Sequence, residues 1–180
     1  VVIPGLGFVM NNTMADFSAK VGVRTTQGLA YGMANAVRPG KTPLSSMSPS
    51  IVMKDGKPFL SVGAAGGPRI ITSTLQLIIN AIDYGMMMDS AVKSPHMCCL
   101  TLDQGLELEE GFSPDTIRIL KERGHKIKET SDFGVLLVLP NGIENLDGAF
   151  FPGGTSRVDG GGGVLTESGA ICIDGFCFCK

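Results

Sequence analysis

Gly66 and Gly67 precede a helix-like run, and that placement can do chemistry. Backbone N–H groups at a helix start are unpaired donors at the positive end of the helix dipole. Two glycines carry no Cβ atoms that would hold a carbonyl away. Such a turn can cradle an anion, or the oxyanion that develops in acyl transfer. The same pair also suits a tight strand-to-helix turn with no ligand. Ser45 and Ser46, in TPLSSMSPS, offer two adjacent hydroxyls that can both donate to a carboxylate, or simply cap a turn. Asp16, in NNTMADF, is a lone acid beside apolar residues; it can bind an ammonium group or cap the next turn. His96 and His125 form no Ser-His-Asp or Cys-His pattern with their neighbours. His125, in ERGHK just after a helix stop, reads as a surface residue. Neither GxGxxG nor a lysine-ended phosphate loop occurs at the glycines, so no nucleotide site is expected.

The bulk composition narrows the classes further. At 180 residues the chain can bury one real core, and 43 % hydrophobic against 18 % charged residues mark an ordered globular domain. Fifteen basic and seventeen acidic side chains give a net charge of -2. With no basic excess, no Lys/Arg run and no Trp, neither nucleic acid nor a membrane surface is an expected partner. No apolar stretch approaches the roughly 20 residues of a membrane helix. Cys98 and Cys99 are adjacent, and Cys172, Cys177 and Cys179 crowd the end. Without pair-and-pair spacing, and with only two histidines to assist, no metal and no cofactor is expected. The start, VVIPGLGF, has no charged lead and reads as strand-like sequence rather than a signal peptide.

The elements that must position these residues follow from local signals. GFVMNN, from Gly7 to Asn12, reads as a short strand entering a polar turn, and 20–42 as a long surface loop. SIVMKDGKPFLSV has two apolar runs flanking Asp55-Gly56, a strong hairpin signal. Next come the glycine turn and a helix with Pro68 in its first turn, Gly85 at its end, and Ile71, Leu75, Ile78, Ile79 and Ile82 as one apolar stripe. Ser113, Pro114 and Asp115 open another helix that stops at Gly124. Strands are expected near 126–129 and 135–139, with Asn141-Gly142 as a second hairpin turn. Hairpins with helices packed against them imply a layered α/β arrangement. The four-glycine run from Gly160 and the tail SGAICIDGFCFCK change character and find no place in this core.

NNTMADFSAK, then ANAVRPGKTPLSSMSPSIV, then GAAGGPRIITSTLQLIINAIDYGM, in that order and spacing, resemble the γ-glutamyltransferase (glutathione hydrolase) family. The likeness runs from about Gly5 to Gly85 and continues more loosely through GFSPDTIRILKERGHK and NGIENLDGA. It implies an α+β fold, the four-layer αββα sandwich of the N-terminal-nucleophile hydrolases. The chain would hold most of the small C-terminal subunit, with residues 1–167 as the domain and 168–180 as an unmatched Cys-rich tail. In this family one precursor cleaves itself into two subunits, so the large subunit is the implied partner. The new N-terminal threonine attacks with its own α-amino group as base. A γ-glutamyl group then passes from glutathione or a similar amide, through an acyl-enzyme, to water or an amino acid. By motif, Gly66 and Gly67 would supply the oxyanion amides, Ser45 and Ser46 the grip on the α-carboxylate, and Asp16 the α-ammonium contact. Thr13 stands where the family usually has Gln or Glu beside the same group. A periplasmic or extracellular place is what the resemblance implies.

Several departures set the alternatives. The threonine-led segment lies upstream of Val1, which has neither hydroxyl nor thiol, so the chain alone is expected to be inert. Gln27 occupies the place of a lid aromatic, and His96, Cys98 and Cys99 stand where Arg and a His pair are usual. FPGGTSRVDGGGG matches the family's close only loosely. Three readings follow: part of an active γ-glutamyl-transferring enzyme, an inactive γ-glutamyl-binding relative, or a truncated product without independent activity.

Overall fold

The computed structural model describes residues 5, 7, 10–25, 29–129, 138–157, 163–165, 171–173 and 176–178. Phe8 and Val9 of the strand expected over Gly7–Asn12, residues 135–137 of the one expected over 135–139, and the lid position Gln27 lie outside the described residues, and the described part of Gly7–Asn12 is not a strand. The chain divides into two compact units, Val1–Ser45 and Ser46–Lys180.

The first unit has little regular structure among its described residues. Short 3₁₀ turns span Thr13–Asp16 and Met33–Asn35, and isolated bridges join Ser18 to Ala36 and Arg24 to Ala30. The long-loop expectation for 20–42 agrees with this. Gly, Pro and small polar residues give the segment no apolar face on which a longer element could form.

The second unit is built on strands β1 (Ser50–Lys54) and β2 (Lys57–Ala65), turning at Asp55 and Gly56, both with positive φ. This is the expected hairpin. Helix α1 (Ile70–Ile82) follows the glycine turn, and a short helix α2 (Met88–Lys93), which the sequence reading did not anticipate, comes next. Strands β3 (Met97–Cys98) and β4 (Leu106–Leu108) lead to helix α3 (Pro114–Glu122), then β5 (Ile127–Glu129). The Ser113 hydroxyl caps α3 by accepting the Thr116 N–H at 3.1 Å, and Gly124 (φ 88°) closes it, as expected. Strands β6 (Leu139–Leu146) and β7 (Ala149–Gly153) complete a four-stranded antiparallel sheet in the order β1-β2-β6-β7. Strand β4 pairs antiparallel with β3 and parallel with β5 in a second sheet. Near the end, β8 (Gly163–Leu165), β9 (Ile171–Ile173) and β10 (Phe176–Phe178) form a third, with Cys172 opposite Cys177.

The core joins one face of the four-stranded sheet to α1 and α2 through Leu60, Val62, Leu77, Ala81, Met88, Ala91 and Val92. That is one helical layer on one sheet layer.

Two expectations fail here. Asn141-Gly142 does not turn; both residues lie within β6, and the chain reverses instead at Asp147-Gly148 (φ 53° and 91°). Gly142 is small for another reason. It pairs across the ladder with Gly153, and a Cβ at Gly142 would stand 2.5 Å from the Met88 Sδ, while one at Gly153 would stand 2.6 Å from the Met88 carbonyl oxygen. The two glycines form the notch in which α2 begins. The Glu144 carboxylate, buried on the same strand, accepts the Met88 N–H at 3.3 Å. The expected stripe of α1 faces inward only in part: Ile71, Leu75 and Ile82 are exposed, Ile79 is half-buried and Ile78 packs against the core, whereas the buried side is Ile70, Ser73, Thr74, Leu77 and Ala81. Thr72, Ser73, Thr74, Gln76 and Asn80 are interleaved with the isoleucines, so the richest stripe and the buried face differ; on the buried face Ser73 Oγ lies 2.8 Å from His96 Nδ1.

Candidate active site

In the first unit, Asp16 closes the 3₁₀ turn that Thr13 opens, and both are half-buried. The Thr13 N–H is held by the Asn11 side-chain oxygen at 3.1 Å. Asn35 fixes the turn. Its side-chain amide donates to the Asp16 carbonyl at 2.6 Å, its Oδ1 accepts the Leu44 N–H at 2.9 Å, and its own carbonyl accepts the Ser18 N–H at 2.9 Å. One asparagine thus ties the Asp16 turn to the residue before Ser45, which is exposed. Sequence reasoning missed Asn35, although it sits inside the ANAV segment. A polar residue between two alanines is a weak signal. The Tyr31 phenol lies close enough to matter: burial, then the charge of Asp16, push its pKa up.

In the second unit, Gly66 and Gly67 form the strand-to-helix turn with φ of 147° and 59°, conformations that side-chain-bearing residues resist. A 3₁₀ turn, Gly67–Arg69, leads directly into α1, with Pro68 inside it. The bonds of the turn use carbonyls. Ser46 Oγ donates to the Gly67 carbonyl at 2.8 Å, and the Arg69 N–H to that of Gly66 at 3.4 Å. Pro68 has no N–H and adds no donor to this helix start. Ser46 and the two-glycine turn are therefore brought together, 21 residues apart in sequence.

Behind the turn, Arg69 Nε and Nη2 both donate to Glu107 Oε2, at 3.1 and 2.9 Å, and Lys128 Nζ donates to Oε1 at 3.0 Å. Burial raises the Glu107 carboxyl, but the hydrogen bonds from Lys128 and Arg69, with their charges, outweigh it and leave its pKa below the usual range. Cys98, opposite Glu107 across β3-β4, is a free thiol pushed up chiefly by burial. Cys99 is free and exposed.

Farther along lies a second buried charge pair. Arg157 donates through Nε and Nη2 to Glu109 at 2.8 and 2.5 Å, and through Nη1 and Nη2 to the carbonyls of Val92 (2.7 Å) and Ser94 (2.9 Å). Both side chains are fully buried. Glu109 also accepts the His96 N–H at 2.8 Å. The His96 ring is buried, with Nδ1 2.8 Å from Ser73 Oγ, and His125 is exposed as expected. Nothing local in the sequence announced these pairs, whose members lie 38 to 48 residues apart.

His96 carries a prediction. Burial first, then the charge of Arg157, hold its pKa down to about 4, with Glu109 opposing. The folded value lies below the ordinary 6.5, so the folded state favours the neutral ring. The resulting stabilisation is complete above about pH 6.5 and is lost as pH falls from there through about 4. Unfolding midpoints measured between pH 7 and pH 4 should fall along this window and fall less steeply in His96→Asn.

Among the described residues no group of three or more His, Cys, Asp or Glu side chains is arranged to hold a metal ion, and no helix is long and apolar enough to cross a membrane.

The geometry has counterparts in known proteins. The family model for gamma-glutamyltranspeptidase matches residues 1–150. The glutathione hydrolase proenzyme of Escherichia coli (strain K12) is 51 % identical over 121 residues, 67 % of this chain and 21 % of that protein. The proenzyme of Bacillus subtilis (strain 168) is 37 % identical over 150 residues, 83 % of this chain and 24 % of that protein. The chain thus spans between a fifth and a quarter of the length of these two relatives. A mutant Helicobacter pylori gamma-glutamyltranspeptidase superposes with a TM-score of 0.76 at 40 % identity, covering 88 % of this chain and 86 % of that one. The Pseudomonas nitroreducens gamma-glutamyltranspeptidase complexed with L-DON gives 0.76 at 32 % identity, covering 92 % and 86 %. The layers described above accordingly belong to the mixed α/β sandwich of the N-terminal-nucleophile hydrolases, as the sequence led us to expect.

Proposed function

Because this chain belongs to the gamma-glutamyltranspeptidase family, we propose that it carries the glutamyl-binding and oxyanion half of a γ-glutamyl transfer or hydrolysis site. The donor is glutathione or a related γ-glutamyl amide, and a partner subunit cut from the same precursor completes the enzyme. A threonine released at the cleavage point attacks the γ-carbonyl. As the carbonyl oxygen takes up charge, the Gly66 and Gly67 N–H groups stabilise it. The amine leaves with a proton, and water or an amino acid then takes the acyl group from the threonine. Asp16, with Thr13 beside it, holds the α-ammonium, and Ser45 and Ser46 hold the α-carboxylate. Charge-assisted bonds at both ends of the head group fix the γ-carbon for attack. Activity outside the cytoplasm, in the periplasm or at the cell exterior, fits the same reading.

The observation that carries this is the 2.8 Å bond from Ser46 to the Gly67 carbonyl. It couples a head-group serine to the oxyanion turn directly. Ser46 has one O–H, so donation to Gly67 and donation to a substrate carboxylate are alternatives. Substrate arrival exchanges one for the other.

Asp16→Ala in the processed two-subunit protein tests the reading. Loss of one charge-assisted contact should lower kcat/KM for a γ-glutamyl anilide by about 1.5–3 kcal/mol, roughly 10- to 150-fold. Glutaryl anilide, which lacks the amino group, should be indifferent to the change. An unaltered kcat/KM on the γ-glutamyl substrate would remove Asp16 from the pocket.

A further inference from the structure

Within the turn the Arg69 and Ile70 N–H groups hold the Gly66 and Gly67 carbonyls, but at φ values this open to glycine those two bonds leave the aim of the amide hydrogens under-restrained. Further restraint has to come from neighbours. Ser46 holds the Gly67 carbonyl on one side. On the other, Arg69 ends the same 3₁₀ turn, its carbonyl accepts Thr72 Oγ1 at 3.1 Å, and its guanidinium places two hydrogen bonds on one oxygen of Glu107. Glu107 is an unyielding anchor. It sits in β4, the central strand of its sheet, opposite Cys98 on β3 and Lys128 on β5. Lys128 occupies its second oxygen. Gln76 fastens the same sheet to α1 by donating to the Met97 carbonyl at 2.8 Å and accepting the Met97 N–H at 2.9 Å.

We propose that Glu107 is a positioning residue for acyl transfer: by clamping Arg69 against the β3-β4-β5 sheet, it sets the direction of the Gly66 and Gly67 amide hydrogens. The inference rests on the reading of that turn as the oxyanion cradle. Ground-state binding of the glutamyl head does not pass through this brace, whereas stabilisation of the charged tetrahedral oxygen does. Loosening the brace therefore slows chemistry and leaves affinity for substrate nearly intact. Glu107 is ionised throughout the range in which such an enzyme would be assayed, so the brace does not switch with pH.

The test uses the processed two-subunit protein with Glu107→Gln, Arg69→Met and the double variant. Expected is a fall in kcat for a γ-glutamyl anilide on the order of 10- to 100-fold with KM within about twofold. A boronic acid that forms a tetrahedral adduct should lose affinity in the same proportion. The double variant should be no slower than the slower single one, because both remove one clamp. Arg69→Lys, which keeps a donor and the charge, should recover part of kcat. Should Glu107→Gln fail to fold, Lys128→Met at an exposed side chain frees the second carboxylate oxygen and carries a smaller fall of the same kind. Unchanged kcat and adduct affinity would overturn the proposal, as would a loss of kcat that merely tracks a lower unfolding midpoint with KM rising alongside. Asp16→Ala separates the two levels. If Asp16→Ala impairs the enzyme and Glu107→Gln does not, only the brace is wrong; if neither matters, the reading of the site has failed and the brace with it.

Discussion

Polypeptide Val1–Lys180 on its own should release no aniline from a γ-glutamyl anilide above background, while the processed two-subunit protein should turn it over. The reason lies in what its side chains can reach. A polypeptide prepared to begin at Val1 has no hydroxyl or thiol beside its α-amino group, which is the arrangement an N-terminal nucleophile requires. Ser73 does touch an imidazole, at 2.8 Å, but both residues are buried and His96 is held neutral within the core. Cys98 is buried, and its thiol is pushed further from ionisation. Ser46 has its hydroxyl on a backbone carbonyl rather than on a base. Among these described groups none pairs an accessible nucleophile with a base. Measured turnover by the purified 180-residue chain would refute this, and with it the division of labour between the subunits.

Arg157→Met is the substitution with the largest expected effect on stability. Glu109 would be left as a buried carboxylate with the His96 N–H as its one remaining bond among those described, and two carbonyls would lose their donor. Removing one partner of a buried pair costs about 3–5 kcal/mol, because the other charge stays behind uncompensated. Chemical unfolding should report that loss as a lower midpoint. Adding Glu109→Met to the variant should return part of it, since the stranded charge then disappears. If Arg157→Met unfolds at the parent midpoint, the buried pair contributes nothing to holding residues 153–157 against α2.

What the sequence made legible, and what it hid, divides by range. The Asp55-Gly56 hairpin, the capped helix from Ser113 and the two-glycine turn were all readable, because each is determined by residues within four or five positions. The failures came where a local signal had two causes. Asn141-Gly142 has turn chemistry, yet its glycine answers to Met88, more than fifty residues earlier. In α1 isoleucines and polar residues are equal in number and interleaved, so periodicity could not say which side was inward; the buried side carries Ser73, which meets His96. Arg69–Glu107 and Arg157–Glu109 left no trace in local pattern, since a charge destined for burial looks like any surface charge until its partner is known. Of the candidate residues, Ser46 is joined to the glycine turn, and Thr13 and Asp16 share a turn whose tie to Leu44 runs through Asn35. The order of motifs was informative where single residues were not.

The glycine notch beneath α2 has a consequence for how this protein can drift. The two positions are unequal. A methyl group at 142 meets the side chains of Met88 and Val62, which core substitutions can trim, whereas one at 153 meets the main chain of Met88 and Asp89. Over generations the first site can absorb an alanine through compensating changes around it, while the second stays closed unless the whole helix lifts.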